Sequence, residues 1–396
     1  MKRTQWQNVE KIFNQTIFLP AEERYGHALE ACGDNKDLLR EVIELLEEAE
    51  NNENFLSDPI YSLGNKILAS IPQDFLDKTE FAFYDLLEVL GRGGSSVVFL
   101  AKDKRLDRLV ALKILPYLLP DNHETILRFQ REAKAASAIS HQNVAHIYEF
   151  NKAEDRFYIA MEYVTGETLR QMLKKNAFEL LRVLDISIQI TRALIVSHRA
   201  NIIHRDIKPE NIMVTDENLV KVLDFGLAKT FYAGHTLEAD MESFSLLTSP
   251  GLVIGTVGYM SPEQVRGQKL DSRTDLWSLG VTLYEMLVGE RPFTGETQSD
   301  VQAKILLAEP DFPAKLNEIP GIVDVLKKLL SKDVESRYQN ASDVLNDLEF
   351  IKDRLSSEVQ KKKTQLSFPN EDENVGGNKK KSFKNFVSQK FFPFKK

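Results

Sequence analysis

Residues 204–211 read His204-Arg205-Asp206-Ile207-Lys208-Pro209-Glu210-Asn211, and thirteen residues beyond Asn211 comes Asp224-Phe225-Gly226. One short stretch thus holds a carboxylate, an ammonium and an amide, and a second carboxylate stands beside a glycine further on. That set suits phosphoryl chemistry. One carboxylate accepts the proton of an attacking hydroxyl, a lysine steadies the transferred phosphate, and an asparagine with an aspartate holds Mg²⁺. The candidate roles are Asp206 as base, Lys208 as phosphate contact, and Asn211 and Asp224 as metal ligands.

Working towards the N-terminus, Gly91, Arg92, Gly93, Gly94, Ser95 and Ser96 lie between two strand-like runs, Tyr84–Leu90 and Val97–Lys102. A glycine-rich turn lets backbone amides approach phosphate oxygens without a side-chain clash. A dinucleotide-binding fingerprint would need a helix straight after the glycines, and a Walker loop would need Gly-Lys-Ser/Thr at its end. Neither is present, so the turn reads as a flap over a nucleotide, closed by a hairpin. On the next strand-like run, Arg108–Leu115, Lys113 follows Val110-Ala111-Leu112. Glu132 comes nineteen residues later on a helical pattern with Phe129, Ala133, Ala136 and Ile139. A lone lysine among apolar residues is ordinarily an edge-strand cation. A Lys113–Glu132 pair would instead aim the ammonium at the α- and β-phosphates.

The chain of 396 residues has room for one large domain with appendages. Its 42% hydrophobic and 28% charged residues fit a globular protein and exclude a fibrous or wholly disordered one. The single cysteine, Cys32, allows no intramolecular disulfide, suits a reducing cytoplasm, and reads as a small buried residue. No apolar run is long enough for a membrane-spanning helix, and the first residues lack the apolar segment of a signal peptide. The net charge of −8 is uneven: residues 1–70 carry −6 and residues 356–396 carry +6, so the middle carries −8.

This polarity divides the chain into a helical module at 1–60, a connector at 61–83, a main domain at 84–355 and a polar, then basic, tail at 356–396. In the module, Trp6, Val9, Phe13 and Ile17 recur at helical spacing. A second helix is expected through Tyr25, Ala28 and Leu29, and a third from Asp37 with Leu38 and Val42. The main domain begins with the strand patterns above, continues with Val144–Phe150 and Phe157–Glu162, and turns helical at Leu181–Arg199, Ser272–Val288 and Ile322–Leu330. A β-rich part followed by an α-rich part predicts two lobes with a cleft between them, an α+β architecture.

Together these motifs resemble the protein kinase superfamily, and in wording the bacterial type of eukaryotic-like Ser/Thr protein kinases. The resemblance covers about 84–350, and Lys208 matches its Ser/Thr-specific pattern. It implies a two-lobed kinase fold that transfers the γ-phosphate of ATP, with Mg²⁺, to Ser/Thr hydroxyls of protein substrates. It places adenine between Val98 and Ala111 above and Met213 below. The hinge would be Glu162-Tyr163-Val164, offering backbone groups from Glu162 and Val164, and Met161 would be the gatekeeper. It makes His204 a structural member of its loop, pairs Glu263 with Arg337, and has Asp275 brace the catalytic loop from a buried helix. Thr256 would lie near Asp206. Two departures stand out: Ser96 replaces the third glycine of the flap, and Ser261 replaces the alanine of the usual Ala-Pro-Glu. Two other classes stay open, a nucleotide-binding scaffold without catalysis and a small-molecule kinase. The intact Lys113, Asp206, Asn211 and Asp224 argue against the first, and Glu263 with a long activation segment argues against the second.

Arg205 beside Asp206 is a natural receptor for a phosphorylated residue. The 40 residues from Asp224 to Glu263 are rich in hydroxyls. Autophosphorylation is expected there, first at Thr248, then at Ser249 and Ser245, with dimers as the vehicle for trans-phosphorylation. Residues 379–396 hold seven lysines and five phenylalanines and no acid. Three readings stay open for them: a disordered end, peripheral contact with an anionic membrane, and docking of a partner or contact with nucleic acid through charge alone. No nucleic-acid substrate and no transmembrane helix are expected, and the location is expected to be cytoplasmic.

Overall fold

The computed structural model describes residues 12, 16, 21–33, 35, 38–40, 42–43, 78–93, 96–115, 134–154, 156–175, 178–224 and 257–367. The chain divides into two units, the smaller built on Met1–Ser70. In that smaller unit, helix α1 (Ala21–Cys32) ends at Gly33, whose φ of 56° is the left-handed stop that glycine adopts readily. Asn35 caps the next helical turn: Leu38 N–H donates to its Oδ1 at 3.1 Å and Leu39 N–H to its carbonyl at 3.0 Å. Leu38 and Val42 are buried one turn apart, as are Ala28 and Cys32 on α1. Tyr25 and Leu29 do not face inward; they are 60% and 47% exposed. The buried stripe of α1 runs through its small residues Ala28 and Cys32. Burial also raises the Cys32 thiol above its ordinary pKa, in line with a packing role.

The larger unit opens with an antiparallel sheet. Its strands are β1 (Glu80–Phe81), β2 (Tyr84–Gly93), β3 (Ser96–Asp103), β4 (Arg108–Ile114), β5 (Ile147–Ala153) and β6 (Arg156–Glu162), in the order β1-β2-β3-β4-β6-β5. The connector expected to reach residue 83 therefore already belongs to the sheet in its last residues, where Phe81 is wholly buried beside Tyr158. Side chains alternate between two cores, as the period of two requires. Val110, Leu112 and Ile114 join Phe81, Tyr84 and Phe99 on one face. Ala111 and Leu115 join Ala136, Ile159 and Met161 on the other, so Lys113 emerges on that second face. β5 starts at Ile147, later than the pattern at Val144 predicts. Residues 143–145 instead belong to the lower lobe, where Val144 bridges Val222 and Ala145 N–H donates to the Val222 carbonyl.

Past Val164 the chain turns helical. A small sheet of β7 (Glu167–Thr168), β8 (Ile212–Val214) and β9 (Val220–Val222) lies at the head of this lobe. Its helices are α2 (Leu169–Lys175), α3 (Leu180–Arg199), α4 (Pro262–Val265), α5 (Arg273–Val288), α6 (Gln298–Leu307), α7 (Ile322–Leu329) and α8 (Ala341–Ser367). Every residue of α5 from Thr274 to Val288 is buried, which makes it the axis of the lobe and explains its nearly continuous apolar sequence. Gly289, with φ of 93°, ends it. α8 continues twelve residues past 355, where the polar tail was expected to begin, so the first part of that tail is helix. No glycine or proline interrupts Ser356–Ser367, and Arg354 and Glu358 pair one turn apart at 3.6 Å. Among the described residues no helix is long and apolar enough to cross a membrane.

Candidate active site

The loop 204–211 is set by a buried carboxylate. Asp275, in the first turn of α5, accepts the His204 N–H at Oδ2 and the Arg205 N–H at Oδ1, both at 2.8 Å. His198 Nε2 donates to the same Oδ2 at 2.8 Å. These bonds hold Arg205 in a left-handed conformation, φ 62°, which non-glycine residues adopt at a cost. His204 is completely buried; its Nε2 lies 2.7 Å from the Leu223 carbonyl, which can only accept. The ring is thus the Nε2–H tautomer, and its Nδ1 accepts the Asp206 N–H at 3.3 Å. Burial pushes the His204 pKa below 6.5 against the pull of Asp275, which keeps this tautomer neutral. His204 is therefore a strut of the loop.

Two donors converge on Asp206. Lys208 Nζ and Asn211 Nδ2 approach its Oδ2 at 2.8 and 2.9 Å, and Asn211 Nδ2 also reaches the Asp206 carbonyl at 2.8 Å. The 3₁₀ turn Pro209–Asn211 leads straight into β8, and the Asn211 carbonyl accepts the Leu223 N–H at 2.8 Å. That bond sets Asp224, the next residue, against the loop, and Asp224 has a φ of 51°. Its Oδ2 meets Lys113 Nζ at 2.8 Å, so the two lobes join at this ion pair. With Asn211 Nδ2 given over to Asp206, the Asn211 oxygen and the Asp224 carboxylate are hard oxygen donors of the kind Mg²⁺ takes alongside phosphate oxygens. Few protein ligands suffice for that ion, so these residues fit it.

The residues expected around adenine lie on β3, β4, β6, β8 and the segment after β6. In register, Val98 faces Lys113, Leu100 faces Ala111, and Ala111 faces Met161. Ala111, Met161 and Val164 are buried, and Val98 and Met213 half-buried. The turn of the flap is held by pairs Gly91–Val98, Arg92–Val97 and Gly93–Ser96. The Glu162 N–H donates to the His146 carbonyl at 2.8 Å, so at this edge Glu162 can offer its carbonyl but not its amide. Glu132, Gly94, Ser95, Thr248, Ser249 and Thr256 lie outside the described residues.

Below the loop, Glu263 and Arg337 form a two-pronged pair at 2.8 and 3.1 Å, with Arg337 fully buried. Thr274 Oγ1 donates to the same carboxylate at 2.8 Å. Burial alone would raise the Glu263 pKa; the Arg337 bonds outweigh it and lower it. Ser261 and Gln264 cap α4 reciprocally, and Gln264 Nε2 reaches the Arg205 carbonyl at 3.0 Å. Ser261 in place of alanine thus supplies the helix cap.

Sequence reasoning missed two links. Lys221 on β9 grips the Glu162 carboxylate at 2.7 and 2.8 Å, tying the hinge to the strand that delivers Asp224. Arg170 lies clamped between Glu210, Glu285 and Tyr259. Neither has a local signal, since the partners stand 40 to 115 residues apart.

A glycine-bearing hairpin, a lysine-bridged carboxylate and an Asp-Lys-Asn loop between two lobes define the class, a two-lobed α+β fold with its polar loop facing the sheet's lysine. The family model for the protein kinase domain matches residues 84–348, and the chain belongs to that family. A probable serine/threonine-protein kinase of Clostridium perfringens is 40% identical over 272 residues, covering 68% of this chain and 38% of that protein. The serine/threonine-protein kinase PknB of Mycobacterium tuberculosis is 41% identical over 272 residues, 67% of this chain and 42% of its own length. The serine/threonine-protein kinase PrkC of Bacillus subtilis is 38% identical over 278 residues, 69% and 41%. The chain therefore spans about two-fifths of the length of the curated relatives it matches.

Proposed function

We propose that this chain is an active Ser/Thr protein kinase that transfers the γ-phosphate of ATP to hydroxyls of cytoplasmic proteins. The observation that carries the reading is the convergence of Lys208 and Asn211 on Asp206 while Lys113 meets Asp224 across the lobes.

Adenine lies between Val98 and Ala111 above and Met213 below, against the Glu162 carbonyl and the backbone of Val164. Lys113 orients the α- and β-phosphates, and Asp224 fixes its ammonium. Asn211 and Asp224 would hold Mg²⁺, which would supply positive charge to offset that of the phosphates. Asp206 takes the proton from the substrate hydroxyl as its oxygen attacks the γ-phosphorus, the bond from the γ-phosphorus to the β,γ-bridging oxygen breaks and ADP leaves, while Lys208 offsets the charge on the transferred group. The activation segment is modified by the enzyme itself, first at Thr248, and Arg205 receives the phosphate. Glu132 completes the Lys113 site.

The test is transfer of label from γ-labelled ATP to casein and to the chain itself, followed by mapping of phosphosites. Label on protein Ser/Thr that requires Mg²⁺ and Asp206 supports the reading. ATP binding without transfer, in protein carrying a phosphorylated activation segment, contradicts it.

A further inference from the structure

Beside the catalytic loop, the described residues close a small acidic niche around an arginine of the same chain. Arg170, near the start of α2, donates from Nε to Glu210 Oε1 and from Nη1 to Glu285 Oε1, each at 2.7 Å. Its Nη2 donates to the Tyr259 hydroxyl, which donates in turn to Glu285. Tyr259 stays neutral, because burial and the Glu285 charge push its pKa up. Two carboxylates thus face the Arg170 guanidinium, with a second guanidinium, Arg291, 5.9 Å from the centre of the Tyr259 ring. The packing is close: a Cβ on Gly258 would lie 2.2 Å from Arg291 Nη1, so a side chain there would displace the Arg291 guanidinium.

The position of the niche gives it a consequence for substrates. Glu210 immediately precedes Asn211, and its side chain is 41% exposed while that of Glu285 is 7% exposed. Tyr259 lies on the 3₁₀ turn Val257–Tyr259, which leads to Gln264 and its bond to the Arg205 carbonyl. The niche therefore sits between the loop carrying Asp206 and the segment that follows the activation segment. Glu210 stands four positions after Asp206, at most about 14 Å of extended chain. A polypeptide offering its hydroxyl to Asp206 has side chains within that range. A paired carboxylate niche is the natural receptor of a forked, planar guanidinium.

We propose that Arg170 is a specificity-determining residue, which fills this niche in cis and so leaves the enzyme indifferent to arginine near the acceptor hydroxyl. The proposal rests on the protein-kinase reading above and names its substrate class: Ser/Thr segments with no required arginine.

The experiment uses the full chain and a peptide series in which one arginine replaces alanine at each position around a single acceptor serine. The readout is the ratio of kcat/KM for each arginine peptide to that of the arginine-free peptide. Wild type gives ratios near one throughout. Arg170→Met opens the niche, and at one position the ratio rises about tenfold or more, through KM, as one charge-assisted hydrogen-bonded contact predicts. Adding Glu210→Gln to that variant removes the rise. A flat profile in folded Arg170→Met that still uses the arginine-free peptide overturns the proposal and makes Arg170 a structural staple only. Glu210→Gln alone covers the case where Arg170→Met fails to fold. Its ratios match wild type if Arg170 occupies the niche, and a tenfold loss on arginine peptides overturns the proposal. No transfer by wild type to any peptide overturns the kinase reading as well, so the two failures are distinct.

Discussion

The floor and the roof of the cleft are held by different means. The floor, residues 204–211, hangs from a side chain 70 and 71 residues away: Asp275 holds Arg205 and His204, and His198 as well. The roof, residues 91–98, is held by backbone pairing with its own neighbours, Gly91 with Val98 and Gly93 with Ser96. In the proposed mechanism Asp206 and Asn211 need fixed positions, because a proton and a cation would meet the reacting atoms there. A flap has only to follow phosphate oxygens with its amides, which a ladder of main-chain bonds allows. One difference follows in tolerance: changes at the floor should propagate through α5, and changes at the roof should stay local.

The largest expected effect lies where the floor is anchored. Arg337→Ala leaves Glu263 buried without its partner, and should cost about 3–5 kcal/mol in urea unfolding. A loss under about 1 kcal/mol would detach this pair from the rigidity of the floor. Asp275→Asn follows: it replaces an acceptor of three donors with a group that also donates. We expect about 1–3 kcal/mol of stability lost and a fall in kcat that exceeds any change in the KM for ATP.

Acid should separate the same two levels. His204 is held neutral with its pKa below 6.5, so the unfolded chain takes up a proton that the folded one refuses. Stability from this residue is complete above about pH 6.5 and declines as the pH falls below it. Glu263, whose pKa is lowered from 4.5, adds a second decline below that value. Unfolding free energy that rises on acidification from pH 7 to 5.5 would contradict the neutral strut. The smallest effect belongs to the hinge. Lys221→Met should cost about 1 kcal/mol or less and act on the KM for ATP, with kcat nearly kept.

The floor was legible in the sequence because its chemistry is packed into eight consecutive residues whose types have few other uses together. The two lobes were legible because mainly strand-like patterns give way to mainly helical ones near Thr168. The links between distant residues were not. Arg170 reads as an ordinary helix residue, and only the fold brings Glu210, Tyr259 and Glu285 around it. Lys221 likewise reads as one strand lysine until the hinge carboxylate is placed beside it. At the edges of elements, tertiary partners overrode local pattern: Val144 joined β9 rather than β5, and α8 ran through residues whose polarity suggested a tail. The activation-segment sites and the Glu132 partner of Lys113 lie outside the described residues, and remain proposals drawn from the motifs.

The most direct test of the account compares wild type with Asp206→Asn in transfer of γ-labelled phosphate to a protein Ser/Thr acceptor, with ATP affinity measured in parallel. Removing the base should lower kcat by about 10²–10⁴-fold while ATP binds as before. Transfer by Asp206→Asn within a few-fold of wild type would contradict the assignment of this loop as the catalytic floor.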